Sequence, residues 1–129
     1  MDFKEYFKTY NAQEKIDKLA KRYKNRKIVL YGAGQFAEAL FEDYDLSKLN
    51  IVAVCDKKFE DEEKRSFYNF KCIPPAELGD FDCNLILISN FDYKKFINIV
   101  DDVLYRTKNA PIEIRPLIRL TFKDLFLKK

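Results

Sequence analysis

The chain has no histidine among its 129 residues, which excludes a Ser/His/Asp triad and a histidine general base. It has three cysteines, an odd number, and none of them forms a C-x-x-C pair. Cys55, Cys72 and Cys83 lie in or beside apolar segments. We therefore expect buried free thiols and no zinc site, because a buried free cysteine behaves as a small hydrophobic residue.

Long hydrophobic runs are also missing. No stretch approaches the ~18 apolar residues that a membrane-spanning helix needs. The first ten residues, MDFKEYFKTY, are charged and amphipathic and contain no signal-peptide core. We therefore expect a cytoplasmic protein with no membrane span.

Neither sign of charge dominates the chain, since 24 Lys and Arg residues face 21 Asp and Glu residues and the net charge is +3. The basic excess lies in residues 1–27 and 115–129, where the basic residues are mixed with acidic ones on helical faces. No basic motif interleaved with base-stacking aromatic residues occurs. Such charge patterns are typical of solvated helix faces, so no nucleic-acid partner is predicted.

The most informative segment is residues 27–56, KIVLYGAGQFAEALFEDYDLSKLNIVAVCD. Its order is strand, G-x-G-x-x-A turn, helix, strand and acid, which is the layout of a dinucleotide-binding βαβ unit. Gly32 allows the sharp reversal after the strand, and Gly34 leaves room for a pyrophosphate beside the backbone. Ala37 lets the helix lie close to the strand. The alternative interpretation is a tight βα turn that has lost its ligand.

Asp56 closes the second strand of this unit, where its carboxylate can accept hydrogen bonds from a ribose diol. The same charge repels a 2′-phosphate, so NAD is predicted over NADP as the cofactor, although Lys57 and Lys58 offset part of that repulsion. Ser89 and Asn90 follow a later apolar run and are expected at the same crevice. The predicted cofactor-binding residues are Gly32, Ala33, Gly34, Gln35, Phe36, Ala37, Asp56, Lys57, Ser89 and Asn90.

Apolar runs and helical spacing predict one α/β domain over the whole chain. An N-terminal helical arm occupies residues 1–25 and is broken near Asn11, with capping boxes at Asp2-x-x-Glu5 and Asn11-x-x-Glu14. Because strands and helices then alternate, we predict a three-layer, Rossmann-like, doubly wound parallel sheet with strand order 3-2-1-4-5. Strands are predicted over residues 27–31, 51–55, 71–73, 84–89 and 112–114, and helices over 35–44, 75–78, 92–105 and 120–129.

Catalytic groups are not recognisable in the sequence. Tyr-x-x-x-Lys pairs, which transfer protons in some nucleotide oxidoreductases, occur as Tyr23/Lys27 and Tyr44/Lys48. The first pair precedes the first strand and the second ends a helix on the far side from the crevice, so neither is predicted to be catalytic. We predict no catalytic residue and do not expect the chain to be an enzyme by itself.

Four segments together carry a family resemblance: KIVLYGAGQFAEAL, IVAVCDKKF, KCIPPAEL and FDCNLILIS. They resemble the small Rossmann domain that precedes the catalytic domain of bacterial polysaccharide-biosynthesis sugar-nucleotide epimerase/dehydratases. Similar nucleotide-binding domains occur in sugar acetyltransferases and in methyltransferase or glycosyltransferase fusions. The resemblance implies that the turn at residues 32–37 and Asp56 bind a nucleotide. No catalytic domain follows within these 129 residues, so that family's catalytic residues have no counterparts here.

Two functions remain open on the sequence alone. The first is a nucleotide-binding module, for NAD(H) or a nucleotide sugar, that acts in sugar-nucleotide or surface-polysaccharide metabolism with a separate catalytic partner. The alternative is a non-catalytic oligomerisation or interaction module on a Rossmann scaffold with a vestigial crevice.

Apolar side chains crowd the C-terminal segment, which predicts a homodimer or docking on a partner protein. The alternative is that the C-terminal helix packs on Phe3, Phe7 and Tyr10 of its own chain. The crowded residues are Leu120, Phe122, Leu125, Phe126 and Leu127.

Overall fold

A five-stranded parallel sheet with strand order β3-β2-β1-β4-β5 lies at the centre of the computed structural model, which describes residues 2–107, 112–120 and 124. The strands are β1 Ile28–Tyr31, β2 Ile51–Cys55, β3 Cys72–Ile73, β4 Leu85–Ile88 and β5 Glu113–Pro116. The helices are α1 Phe3–Thr9, α2 Ala12–Arg22, α3 Gln35–Asp43, α4 Pro75–Leu78 and α5 Tyr93–Thr107. The predicted doubly wound α/β fold and its strand order are confirmed.

Strand residues alternate between two cores, one on each face of the sheet. Ile28 and Leu30 of β1 pack into the core formed with α1, α2 and α3. Val29 and Tyr31 of the same strand pack into the core formed with α4 and α5. This alternation follows from the period of two along a strand, and it explains why β1 and β4 are buried along their whole length.

The predicted ends of the elements are correct in some places and wrong in others. As predicted, the side chain of Asp2 caps α1 by accepting hydrogen bonds from the N–H groups of Lys4 and Glu5. The predicted capping box at Asn11 is wrong, because Asn11 has left-handed backbone angles (φ 53°) and its side chain makes no capping bond. The last strand is predicted over residues 112–114, whereas β5 occupies Glu113–Pro116. It runs to Pro116, which an edge strand tolerates because the missing N–H is not needed for pairing.

The remaining comparisons concern residues 57–70, the C-terminal segment and the expected lack of a membrane span. Residues 57–70, where no strand or helix is predicted, contain two short 3-10 helices, Lys57–Glu60 and Glu62–Lys64. The predicted C-terminal helix lies outside the described residues except for Leu120 and Asp124. In the part of the chain that the structure describes, no helix is both long and apolar enough to cross a membrane.

Aromatic residues attach α1 to the rest of the domain. Phe7 is fully buried, and its ring makes an edge contact with Phe36 of α3 at 4.9 Å between ring centroids. Phe3 makes a second edge contact with Phe36 at 5.3 Å, and Tyr6 contacts Phe91 at 5.3 Å. The N-terminal helix is therefore part of the core and not a loose extension.

Substituting Phe7 with alanine should lower the free energy of unfolding by about 3–5 kcal/mol, because a fully buried ring leaves a cavity among the other aromatic residues. The measurement is urea-induced unfolding followed by circular dichroism. Tyr105→Ala is the control, since this tyrosine is 89% exposed and should change stability little. A small effect of Phe7→Ala would mean that α1 does not belong to the cooperative core.

Candidate functional site

The turn between β1 and α3 presses against the end of β4. Gly32 has a φ of +119°, and a Cβ atom added to it would lie 2.5 Å from the carbonyl oxygen of Ser89. Its N–H donates to the carbonyl of Cys55 at 2.8 Å, while the N–H of Ser89 donates to the carbonyl of Tyr31 at 2.8 Å. The fold itself therefore requires glycine at position 32, because any side chain would meet a backbone atom and a strained conformation.

Gly34 is in a different situation. It is the N-cap of α3, its φ is −97°, and an added Cβ would have no atom within 4 Å. Its carbonyl accepts the first helical hydrogen bond, from the N–H of Glu38 at 3.0 Å. The N–H groups of the first turn of α3 have no partner within the helix. The packing of the chain does not explain this glycine, and the space beside it is open.

The carboxylate of Asp56 is bound to the glycine turn. One of its oxygens accepts a hydrogen bond from the N–H of Ala33 at 2.8 Å, and the other accepts one from the N–H of Lys58 at 3.0 Å. The ammonium group of Lys58 donates to the carbonyl oxygen of Ala33. These three residues form a closed ring of hydrogen bonds, which we call the Asp56 ring. Each carboxylate oxygen keeps a further lone pair that can accept another donor.

Ser89 lies at the carboxyl end of β4, beside the glycine turn. It is 1% exposed, and its Oγ atom has no hydrogen-bond partner among the described residues. Buried hydroxyl groups nearly always have a partner, so the Ser89 hydroxyl is an exception, and it lies where β4 meets the glycine turn. The neighbouring Asn90 uses its side-chain oxygen to accept the N–H of Asp92 at 3.0 Å.

The other predicted site residues divide into two groups. Phe36 and Ala37 are buried in the core beside α1, so their side chains face away from the open space. Gln35 and Lys57 are exposed.

Two residues at the crevice are absent from the predicted cofactor-binding residues. The sequence predicts Lys58 only as a charge that offsets repulsion of a 2′-phosphate, whereas the structure makes it part of the Asp56 ring. Phe91 follows Asn90, is 43% exposed, and packs on Tyr6 of α1. Nothing in the local sequence connects Phe91 with the N-terminal helix.

Buried groups beside the crevice stay neutral. Burial, together with the nearby groups of Cys55 and Asp56, raises the pKa of the Tyr31 hydroxyl to about 12. Burial also raises the pKa of the Cys55 thiol well above its usual value. Neither side chain therefore supplies a charge or an acid–base group near neutral pH.

Neither Tyr/Lys pair is at the crevice. The hydroxyl of Tyr23 donates to Glu113 at 2.9 Å, and Lys27 forms an ion pair with Asp82, both at the amino end of the sheet. Tyr44 follows the end of α3 and packs its ring on Phe7. Among the described residues, no group of three or more Cys, Asp or Glu side chains is arranged to hold a metal ion.

Alanine substitutions should separate the two glycines of the turn. Gly32→Ala should lower the free energy of unfolding by about 2–5 kcal/mol, from the strained φ and the contact with the Ser89 carbonyl. Gly34→Ala is the matched control and should lower stability by at most about 1 kcal/mol, because the added methyl group meets nothing and only the N-cap preference for glycine over alanine is lost. Both variants are compared with the parent chain by urea unfolding, and equal effects would contradict this assignment.

The Asp56 ring has its own stability test. Asp56→Ala should lower the free energy of unfolding by about 1–3 kcal/mol, since the buried N–H of Ala33 loses its acceptor. Asp80→Ala is the control, because Asp80 is exposed. Thermal or urea unfolding of both variants is the measurement, and an unchanged Asp56→Ala protein would show that the ring does not stabilise the turn.

Comparison with known proteins identifies a family but no close relative. The sequence model of the C2185-like N-terminal family matches residues 24–104, which is more than half of the chain. The match includes β1 to β4 and therefore the glycine turn, Asp56 and Ser89. No curated protein and no solved structure matches the chain significantly. Because this match covers more than half of its residues, the chain belongs to the C2185-like N-terminal family.

Proposed function

We propose that the crevice at the carboxyl ends of β1 and β4 binds a nucleotide through its pyrophosphate, with NAD or a nucleotide sugar as the ligand. The observation that carries this proposal is the open space at Gly34. Gly32 is explained by contacts within the chain, whereas Gly34 is not. A glycine that packing does not require, at the start of a helix that follows a parallel strand, is what close approach of a phosphate to the backbone needs.

Two further features of the crevice support an anionic ligand with hydroxyl groups. The N–H groups of the first turn of α3 and the helix dipole favour negative charge in this position. Ser89 lies at the end of β4 with its hydroxyl enclosed by the protein, so this group would reach a ligand only after its side chain rotates. Both lie beside the point where the strand order reverses, which is the usual ligand position in a doubly wound sheet.

Asp56 and Lys58 would contribute to both binding and selectivity. The carboxylate of Asp56 holds the turn and has lone pairs left for a ribose diol, which favours NAD over NADP. The ammonium group of Lys58 lies against the turn and would offset part of the negative charge of a pyrophosphate. Loss of Asp56 should therefore weaken nucleotide binding both directly and through the shape of the turn.

The proposed role is a binding module in sugar-nucleotide or surface-polysaccharide metabolism, by resemblance to the domain that precedes the catalytic domain of epimerase/dehydratases. NAD supplies hydride transfer when it is bound. At the crevice Tyr31 and Cys55 stay neutral, and the charged groups of Asp56 and Lys58 are bound to the glycine turn, so none of these four residues offers a free acid–base group to a reacting sugar. We therefore propose that a separate catalytic protein acts with this chain. The chain itself would be a homodimer or a monomer when that protein binds it.

One observation favours the second candidate function, an interaction module with a vestigial crevice. The Asp56 ring already satisfies both backbone groups of Ala33 and both carboxylate oxygens of Asp56. A turn whose polar groups are satisfied internally is stable without a ligand. The two candidates differ in one measurable property, which is nucleotide affinity.

Nucleotide binding is tested by thermal unfolding with NADH, NADPH and a UDP-sugar. A ligand present at about 100 times its Kd should stabilise the protein by roughly 2.7 kcal/mol. Gly34→Val should abolish this stabilisation while leaving the far-ultraviolet circular dichroism spectrum unchanged, because the isopropyl group fills the open space beside the turn.

Gly34→Ala is the graded control, because its single methyl group is small and meets no protein atom. It should keep the fold and weaken binding less than Gly34→Val. Full stabilisation of a folded Gly34→Val protein would remove the nucleotide from this turn. No stabilisation of the parent protein by any of the three ligands would favour the interaction module instead.

A further inference from the structure

A second cavity lies between α2 and the segment that leaves β5. Its volume is about 710 Å³, which is within the range of roughly 300–1,000 Å³ that is typical of sites for small molecules. None of the described residues that line it belongs to the glycine turn, to the Asp56 ring or to the end of β4. These described lining residues also lie outside the segment matched by the family model. We call this cavity the α2 cleft.

Positive charge dominates the wall of the α2 cleft. Among the described residues, five basic side chains and two acidic ones line it. Both acids already have a basic partner in the wall: Asp124 pairs with Lys15, and Glu14 pairs with Lys18. The remaining basic residues are Arg22, Arg115 and Arg119.

Among the basic residues of the cleft, the arginines differ in whether they have a carboxylate partner. Arg115 forms an ion pair with Glu113, with its Nη2 atom 3.2 Å from a carboxylate oxygen. Arg22 and Arg119 are exposed and have no carboxylate within 4.0 Å among the described residues. A guanidinium group offers several donors in one plane, which suits the paired oxygens of a phosphate.

The inner surface of the cleft is suited to the organic part of a ligand. Tyr10, Tyr23 and Leu117 in the wall are buried. The hydroxyl of Tyr23 donates a hydrogen bond to Glu113, so the part of this residue that remains for the cleft is its apolar ring. The guanidinium group of Arg22 lies over that ring, 5.3 Å from its centroid. The ion pair of Lys15 and Asp124 closes one side, with both side chains mostly buried.

We propose that the α2 cleft is a binding site for an organic phosphate or diphosphate, separate from the nucleotide crevice. The phosphate groups contact Arg22 and Arg119, and the organic group lies on the buried tyrosines and leucine. The site does not depend on the proposed nucleotide function, because it uses none of the same residues.

The test uses inorganic diphosphate as the probe and isothermal titration calorimetry on the full chain. The double variant Arg22→Gln/Arg119→Gln should weaken binding at least about tenfold, because two charge-assisted contacts are lost. Lys21→Gln/Lys24→Gln is the matched control. It removes the same charge from the same region, but both lysines are exposed and neither lines the cleft, so its affinity should stay within about twofold.

Gly34→Val separates the two sites. Under this proposal it binds diphosphate as the parent chain does, whatever its effect on NADH, and added salt weakens binding in both proteins. Four results would overturn the proposal: no binding by the parent chain, unchanged affinity of the arginine variant, equal loss in the lysine control, or loss of diphosphate binding in Gly34→Val. If the double variant does not fold, the single variants Arg22→Gln and Arg119→Gln replace it, each with an expected loss of several-fold.

Discussion

The contact between the backbone at Gly32 and the carbonyl of Ser89 is the constraint on which the rest of the site depends. It brings the turn after β1 directly against the end of β4, with no room for a side chain between them. The position of α3 follows, because the helix begins two residues later at Gln35. The crevice exists because these two strand ends are neighbours in the sheet while their following segments lead to helices on opposite faces.

The N-terminal helices are tied to the same region by aromatic packing. Phe36, in the first turn of α3, makes edge contacts with both Phe3 and Phe7 of α1. Phe91, which follows the end of β4, packs on Tyr6 of the same helix. One helix therefore contacts both sides of the crevice. The family match begins at residue 24, so this chain supports the crevice with elements that lie before the matched segment.

The Asp56 ring gives the crevice two opposite properties. It stabilises the glycine turn without a ligand, since each backbone group of Ala33 has a charged partner. It also keeps a carboxylate and an ammonium group at the crevice that we propose binds a nucleotide. A ligand bound there would not have to order the turn, which lowers the entropic cost of binding.

Local patterns in the sequence determined the fold class, the strand order and the position of the glycine turn. Strand period, apolar runs and turn glycines act over a few residues, and the rules that connect parallel strands leave few topologies. The cap at Asn11 was predicted wrongly because a left-handed backbone angle is decided by how α1 and α2 pack, not by the spacing of Asn11 and Glu14.

Only the tertiary structure decided which partners the site residues have. The hydrogen bond from Ala33 to Asp56 joins residues that are 23 positions apart in the chain. The basic cleft brings α2 together with residues that follow β5. The burial of the unpaired Ser89 hydroxyl likewise depends on the turn that packs against it. The same is true of the two glycines, which look equivalent in the motif but differ in whether a neighbouring backbone atom occupies the space beside them. Distances between remote residues depend on how the whole sheet and its helices pack, and no local pattern encodes them.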